Sequence, residues 1–221
     1  MFNIAIDGPA GAGKSTIARR VAKALSYIYV DTGAMYRAMA LYLIRQGISP
    51  QDERAIQEAC ASARISIAYV DGEQQVLLND ENVTPYLRQE AVGNMASASS
   101  GNRKVREKLV ELQQQLAARE NVVMDGRDIG TQVLPEAQVK IYLTASAHTR
   151  ARRRFLELEQ KGLTADLKQI EEDINQRDYQ DMHREISPLR QAEDAVLVDS
   201  SDMTIDEVVE AILSLCRERG V

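Results

Sequence analysis

The sequence predicts an α/β fold in which helices flank a five-stranded parallel sheet. Three observations support this prediction: short apolar runs end at or near a polar residue, segments of helical periodicity lie between them, and 221 residues are enough for one large core. The five predicted strands are residues 3–7, 27–31, 122–125, 139–143 and 195–199. Their nearly continuous apolar character is typical of strands that are buried on both faces of a sheet.

The helices are predicted from apolar residues that recur three or four positions apart. This spacing occurs over residues 17–25, 35–42 and 105–116. Ser49 and Pro50 predict another helix, with the serine as its N-cap and the proline at its first position, running to about Ala61. Thr204 and Glu207 match a capping box and predict a last helix whose apolar residues, Ile205 included, face inward.

A different pattern interrupts this alternation between residues 64 and 97. Residues 65–70 and 76–78 are strand-like, and Asp71-Gly72 between them is a strong hairpin signal. We therefore predict a single domain whose core comprises residues 1–63 and 98–221, with a small antiparallel insert at 64–97.

The composition is that of an ordinary globular protein. Hydrophobic residues make up 44% and charged residues 27% of the chain, which excludes disordered, collagen-like and coiled-coil classes. No apolar run approaches the roughly 18 residues that span a bilayer, and residues 1–4 lack the basic region of a secretory signal. Cys60 and Cys216 are too few for a disulfide framework, so we expect reduced thiols packed on helices. These features predict a cytoplasmic protein without membrane association.

The charge of the chain argues against a general nucleic-acid-binding protein. The net charge is −6, whereas such proteins usually present a basic surface. The positive residues are nevertheless skewed, with 20 arginines and 7 lysines. Because a guanidinium grips phosphate or carboxylate with two N–H groups at once, this excess indicates local anion sites.

Residues 8–15 match the phosphate-binding pattern G-x-x-x-x-G-K-[ST], after a predicted strand and at the start of a predicted helix. The glycines allow backbone N–H groups to converge on phosphate oxygens, and the helix N-terminus attracts the anion. We predict a nucleoside triphosphate site in which Lys14 reaches the β and γ phosphates and Ser15 holds Mg²⁺. The context disfavours the alternative, a glycine-rich turn without a ligand. The predicted ATP-binding residues of this segment are Gly8, Pro9, Ala10, Gly11, Ala12, Gly13, Lys14, Ser15 and Thr16.

A triphosphate site by itself leaves the reaction open. GTPase switches carry an N/T-K-x-D motif, and no lysine of this chain is followed two residues later by aspartate. A motor or remodelling ATPase usually needs larger regions than 221 residues provide. A small phosphotransferase is therefore favoured.

Two segments that combine arginine with aspartate predict where a phosphate acceptor binds. Residues 31–37 follow the second strand, with Thr32 placed to cap a helix and Arg37 near its first turns. Residues 125–128 follow the third strand, where Asp125 is positioned to hold Mg²⁺ through water, Arg127 to bind phosphate and Asp128 to read a base. Each has an ordinary alternative: an N-cap beside a solvated arginine, and a local Arg–Asp turn.

A third segment places Arg177, Asp181 and Arg184 at spacings of four and three, so that one helix face carries all of them. This stripe can grip an anion, although a surface ion-pair ladder is the alternative.

A fourth segment, the predicted lid at residues 150–162, contains four arginines and ends near Lys161-Gly162. Arg150, Arg153 and Arg154 share one side of its helix and suit closure over a polyphosphate; ordinary helix solvation is the alternative. His148 and His183 have no partner at ligand spacing, so we assign no metal site to them.

Together these segments resemble the bacterial cytidylate kinases, a family of P-loop nucleoside monophosphate kinases. The matching motifs occur in order over nearly the whole chain: IDGPAGAGKST, DTGAMYR, VREKL, MDGRDIGT, VKIYLTA, RARRR and ISPL. DTGAMYR together with DGRDIGT is much more selective than the phosphate-binding motif alone. The resemblance implies a P-loop NTPase three-layer fold with a five-stranded parallel sheet, a small antiparallel monophosphate-binding insert and a short lid.

The resemblance also implies roles for individual residues. Those that fall where the family recognises the pyrimidine are Thr32, Arg106, Asp128 and Arg184. Those at its sugar contacts are Ser97, Arg177 and Asp181, and those that hold the acceptor phosphate are Arg37 and Arg127. The lid arginines Arg150, Arg153 and Arg154 are expected to approach ATP. The residues expected at the transferring phosphate are Lys14, Arg127, Asp128 and Arg184.

The implied activity is transfer of the γ-phosphate of ATP to CMP or dCMP, with Mg²⁺ as cofactor and these nucleotides as partners. No surplus apolar stripe is evident in the sequence, so we expect a monomer. The acceptor oxygen is already anionic, so the reaction needs positive groups that neutralise the phosphates rather than a strong general base. The nearest alternative is a small-molecule P-loop kinase for UMP, AMP or a non-nucleotide alcohol. An ATP-dependent regulatory switch is the alternative from another class.

Overall fold

The computed structural model describes all 221 residues, which form eight strands and eight α-helices. The strands are β1 (Asn3–Asp7), β2 (Ile28–Asp31), β3 (Ile65–Val70), β4 (Glu73–Leu78), β5 (Glu81–Asn82), β6 (Val122–Gly126), β7 (Val139–Thr144) and β8 (Val196–Asp199). The helices are α1 (Lys14–Leu25), α2 (Thr32–Arg45), α3 (Glu53–Ser62), α4 (Glu90–Ser99), α5 (Arg103–Ala117), α6 (Ala147–Gln160), α7 (Leu167–His183) and α8 (Ile205–Glu218). Two compact units result, one made of Met1–Tyr29 and Glu120–Val221, the other of Val30–Arg119.

The first unit is built on the predicted five-stranded parallel sheet, in the order β2-β6-β1-β7-β8. The central strand β1 pairs in parallel with β6 and β7, so that Ile4 lies beside Val123 on one side and Val139 on the other. Helix α1 packs on β1 and β6 and against α8, and α6 packs against α7. The fully buried Ile4, Ile6 and Leu143 belong to the core between these elements. The predicted α/β fold is confirmed.

The edge of this sheet differs from the expectation of uniformly buried strands. Val196 and Leu197 of β8 are exposed, because β8 has only β7 as a neighbour. The capping box of Thr204 and Glu207 at the start of α8 is present as predicted. Ile205, expected to face inward, is exposed at the first position of that helix.

The second unit contains the predicted antiparallel hairpin within a three-stranded sheet, β3-β4-β5. Asp71 and Gly72 both have positive φ, at 53° and 79°, as a tight hairpin turn requires. Helix α2 packs against α4, α5 and β4, and α3 packs against α5. The short strand β5 and helix α4 are additions that the apolar pattern did not predict.

Helix α3 begins later than predicted. Asp52 is its N-cap and accepts a hydrogen bond from Ala55 N at 3.0 Å. Ser49, the predicted cap, instead donates through Oγ to the side chain of Gln51. Two residue types favoured at helix N-caps compete here, and the aspartate nearer the apolar face starts the helix.

The remaining sequence expectations concern cysteines and membranes. Cys60 on α3 and Cys216 on α8 are free and buried, as predicted. Burial raises the pKa of the Cys216 thiol to about 11. No helix combines the length and the apolar character that crossing a bilayer requires.

Candidate functional site

The phosphate loop, residues 8–13, joins the end of β1 to the start of α1. Helix α1 begins at Lys14, and its first backbone N–H groups have no side-chain cap. Such a helix N-terminus after a glycine-rich loop is suited to bind a phosphate. Lys14 is buried, and its Nζ donates to the Pro9 carbonyl oxygen at 2.7 Å. The loop and its lysine therefore form one local structure.

Lys14 lies among charged groups of both signs. Burial lowers the pKa of Lys14 well below its usual range, and the positive charge of Arg127 lowers it further. The negative charges of Asp125 and Asp7 oppose this shift. Two cationic side chains of the predicted site are therefore close enough to repel each other, as expected where an anion binds between them.

Ser15 and Asp125 meet between α1 and β6. Ser15 Oγ donates to Asp125 Oδ2 at 2.8 Å, and Tyr29 OH donates to Asp125 Oδ1 at 3.0 Å. A hydroxyl beside a carboxylate matches the oxygen donors that Mg²⁺ prefers when nucleotide phosphates and water complete its coordination. No group of three or more His, Cys, Asp or Glu side chains is arranged to hold a metal ion. The fit to Mg²⁺ therefore rests on the Ser15 hydroxyl and the Asp125 carboxylate.

The β6 turn, residues 126–130, is held from the neighbouring strand by Asp7. The Asp7 carboxylate accepts hydrogen bonds from Ile129 N at 2.8 Å and Gly130 N at 2.7 Å. Burial raises the pKa of Asp7 to about 6, against the opposing effect of these two N–H groups. A single π turn, Ile129–Val133, follows. This arrangement fixes the backbone that carries Arg127 and Asp128.

Two ion pairs connect the β6 turn to the end of α7. Arg127 Nε donates to Asp181 Oδ2 at 2.8 Å, and Arg184 Nη2 lies 3.8 Å from Asp128 Oδ1. All four side chains are at most 22% exposed. The structure thus brings together four of the residues predicted to bind the acceptor.

Arg177, Asp181 and Arg184 were predicted to share one face of a helix, and only the first two lie within α7. Arg177 and Asp181 lie in the helix, but Arg184 is the residue that ends it, with extended backbone. Arg184 Nε donates to Ser187 O at 2.5 Å, so its guanidinium is held by the chain that follows the helix. Arg177 is exposed on the helix surface.

The lid arginines differ in their surroundings. Arg150 is buried and donates to the Ala10 and Ala145 carbonyl oxygens. Arg153 donates to Ser200 O at 2.6 Å, and Arg154 forms an exposed ion pair with Glu157. Their predicted contacts with ATP stay predictions.

The second unit carries the remaining predicted residues. Asp31 is the N-cap of α2 and accepts from Ala34 N at 2.9 Å, so the prediction that Thr32 caps this helix is wrong. Thr32 is the first helical residue and is buried. The Gln74 side chain of β4 pairs with the Asp31 backbone, accepting from its N–H at 2.8 Å and donating to its carbonyl oxygen at 3.3 Å. The insert sheet therefore fixes the start of α2.

Three further residues of this unit were predicted to bind the acceptor. Arg106 is buried on α5, with its guanidinium 5.9 Å from the centre of the Tyr36 ring. Arg37 is half-buried on α2, and its Nη1 is 3.5 Å from the position of a Cβ on Gly33. Ser97 is exposed on α4.

Sequence reasoning missed Asp7, Tyr29, Gln74 and Asp178. Asp7 had a signal, since it is an acidic residue that ends a buried strand directly before the phosphate loop. The contact of Tyr29 with Asp125 and that of Gln74 with Asp31 depend on strand pairing and have no local signal. Asp178 of α7 forms an ion pair with Arg150 of α6. It follows Arg177 directly in the sequence, and the spacing of the predicted stripe did not include it.

The comparisons with known proteins agree with this geometry. The family model described as cytidylate kinase matches residues 4–218. A cytidylate kinase of Caldicellulosiruptor bescii is 54% identical over 214 residues, covering 97% of this chain and 95% of its own length. One of Lactobacillus johnsonii is 48% identical, covering 99% and 95%. A solved structure from Eubacterium ventriosum shares the fold, with a TM-score of 0.52 at 12% identity over 98% of each chain. Because the family model spans nearly all of the sequence, the chain belongs to the cytidylate kinase family.

Proposed function

We propose that this chain transfers the γ-phosphoryl group of ATP to CMP or dCMP, giving ADP and CDP or dCDP. One observation carries the proposal: the phosphate loop and the β6 turn adjoin, so that the positive charge of Arg127 acts on Lys14 while Ser15 bonds Asp125. A lysine suited to the donor phosphates and an arginine suited to the acceptor phosphate are thus neighbours. A regulatory switch binds no phosphate acceptor, so a second arginine site counts against that alternative.

The chemistry follows from charge. Both substrates are polyanions, and the attacking phosphate oxygen of CMP already carries negative charge, so no general base is needed. Lys14 and Arg127 stabilise the equatorial oxygens of the transferring group, and their mutual repulsion falls when that group lies between them. Ser15 and Asp125 are the residues that would hold Mg²⁺, which supplies further neutralisation of the β and γ phosphates.

Recognition of the pyrimidine rests on Asp128 and Arg184. Cytosine presents an exocyclic amino group, and a carboxylate is the acceptor that suits it, whereas uracil has a carbonyl at the same position. Arg184 Nη2 lies 3.8 Å from Asp128 Oδ1, so the guanidinium helps to orient this carboxylate as the acceptor. Asp181 and Arg177 are assigned to the sugar, where the Asp181 carboxylate accepts from a hydroxyl.

The family resemblance assigns four residues of the second unit to CMP: Thr32, Arg37, Ser97 and Arg106. Two of them, Thr32 and Arg106, are polar yet buried. The same resemblance assigns Arg37 to the acceptor phosphate.

We further propose that the enzyme acts in the cytoplasm as a monomer. Two free, buried thiols suit a reducing compartment.

The test is an ADP-release assay with CMP, dCMP, UMP, AMP and dTMP as acceptors. We expect CMP and dCMP to give the highest kcat/KM. If CMP gives no more turnover than AMP, the proposed specificity is wrong, and equal ADP release without any acceptor would favour an ATPase. The control is Lys14→Met, which should stay folded by circular dichroism and lose kcat by orders of magnitude.

A further inference from the structure

A buried ion pair joins α6 to α7 beside the residues assigned to CMP. Arg150 Nη2 lies 2.7 Å from Asp178 Oδ2, and the two side chains are 5% and 12% exposed. Removing two charges from water is costly, and the attraction between them offsets this cost only in good geometry. A pair of this kind points to a requirement for position rather than for stability alone.

The same guanidinium reaches the phosphate loop. Arg150 Nη1 donates to the Ala10 carbonyl oxygen at 2.9 Å, and Nε donates to Ala145 O at 2.8 Å, just after β7. The stem of Arg150 runs beside Gly11, where an added Cβ would lie 3.6 Å from the Arg150 Cβ. One planar side chain therefore fixes the loop, the end of a core strand and, through Asp178, helix α7.

Asp178 lies one helical turn before Asp181, which accepts from Arg127 of the β6 turn. Helix α7 is thus tied to the phosphate loop by Asp178 and to the β6 turn by Asp181. The second oxygen of Asp178, Oδ1, is buried without a hydrogen-bond partner. Arg150 is consequently the main hydrogen-bond partner of this carboxylate. A shift of the phosphate loop or of α7 therefore changes the geometry of the Arg150–Asp178 pair.

We propose that the Arg150–Asp178 pair couples ATP binding at the phosphate loop to CMP binding by α7, with Asp178 as a positioning residue that touches neither nucleotide. This inference rests on the proposed function. Ordering of the phosphate loop by ATP fixes Arg150 through Ala10, Arg150 holds Asp178, and α7 then presents Asp181 and Arg177 to CMP. By linkage, CMP strengthens the binding of ATP by the same factor.

The test measures the dissociation constant of CMP by calorimetry, without and with a saturating non-hydrolysable ATP analogue and Mg²⁺. In the wild-type protein we expect the analogue to tighten CMP binding by about fivefold or more, the lower end of typical couplings between sites. The coupling ratio is the Kd of CMP without the analogue divided by its Kd with the analogue. In Asp178→Asn this ratio should fall below two. The Kd of each nucleotide measured alone should change by a smaller factor than the wild-type coupling ratio. The matched control is Glu171→Gln on the same helix, which alters a 3.0 Å contact with the exposed His148 and should keep the wild-type ratio.

Asp178→Ser provides a second variant with room for water if the asparagine variant does not fold. The proposal is overturned if either folded variant retains the wild-type ratio, or if both dissociation constants weaken together at an unchanged ratio, as a purely structural role would produce. A wild-type ratio of one also overturns it, whereas wild-type turnover of CMP would still uphold the proposed function. Absence of CMP turnover in the wild-type protein would instead remove that function.

Discussion

Gly130 N donates a hydrogen bond to the Asp7 carboxylate at 2.7 Å, which fixes the β6 turn from the end of the neighbouring strand. The contact leaves little room, because a Cβ on Gly130 would lie 3.4 Å from Asp7 Oδ2. Arg127 and Asp128 precede this bond in the same turn. The backbone under the proposed acceptor-binding residues is therefore held by a buried carboxylate.

Asp7→Asn should change the pH dependence of stability. The pKa of Asp7 is about 6 in the folded protein against 3.8 as its ordinary value, so the folded state binds the proton more tightly. The contribution of Asp7 to the free energy of unfolding therefore falls as pH rises from about 4 to 7, by roughly 2 kcal/mol, and is constant above. Asparagine does not titrate, so the wild-type value minus the variant value should fall by that amount. Urea unfolding at pH 4, 5, 6 and 7 measures it.

The matched control is Asp194→Asn. An ion pair with Lys140 lowers the pKa of this exposed carboxylate, so its stabilising effect is present above its usual pKa and lost only as pH falls below it. The difference between wild type and this variant should be flat from pH 4 to 7. A flat difference for Asp7→Asn as well would contradict a raised pKa at Asp7.

Gly8→Ala should destabilise the protein strongly. A Cβ at this position would lie 1.9 Å from the Leu143 carbonyl oxygen of β7, and φ is +150°. The obstacle is backbone, so no side-chain rotation relieves it, and we expect a loss of about 3 kcal/mol or more in the free energy of unfolding. Gly72→Ala is the control: its φ is also positive, but nothing lies within 4 Å, so about 1 kcal/mol of strain is expected. Equal losses in urea unfolding would argue against the clash.

The strands could be predicted because their signal is local. Each strand of the five-stranded sheet is a short apolar run, and the phosphate loop is recognised from the spacing of its glycines before a lysine. The side chains that hold the site together lack such a signal. Asp7 contacts Ile129 across 122 positions and Tyr29 contacts Asp125 across 96, so their partners depend on which strands are neighbours. Pattern alone does not fix that order.

The errors at helix ends have a common cause. Asp31 and Thr32 are both good caps, as are Ser49 and Asp52, and the backbone decides between them only when the helix packs. Arg184 was placed on α7 by spacing, yet the chain leaves the helix there and Arg184 bonds Ser187 O. Helix periodicity predicted most of the buried faces, and its errors fall at the first and last residues of helices.

Gln74→Ala should raise the KM for CMP while leaving the KM for ATP unchanged. The Gln74 amide holds the Asp31 backbone, and Asp31 caps the helix that begins with Thr32. Loss of about 1 kcal/mol in this positioning corresponds to a fivefold to tenfold rise in KM. Steady-state kinetics with each substrate varied in turn provide the measurement.

Two variants make this result specific. Gln75→Ala removes a neighbouring amide that accepts instead from Asn82 of β5, and it should leave both KM values near wild type. Gln74→Glu keeps an acceptor for Asp31 N and should recover part of the loss. If Gln74→Ala and Gln75→Ala shift the KM for CMP equally, the contact with Asp31 has no special role.

Asp125→Asn should raise the concentration of Mg²⁺ needed for half-maximal turnover. Asp125 accepts from Ser15 Oγ and from Tyr29 OH, and its charge is what a Mg²⁺ ion beside Ser15 would sense. Loss of such an outer carboxylate typically weakens metal binding tenfold to a hundredfold, and we expect a shift of about tenfold or more at fixed ATP. Tyr29→Phe removes one hydrogen bond but keeps the carboxylate, so it should shift the Mg²⁺ requirement much less. Both variants alter the same buried contact, so equal shifts in the Mg²⁺ requirement would mean that the orientation of the Asp125 side chain matters rather than its charge. No shift in Asp125→Asn would exclude Asp125 from the metal site.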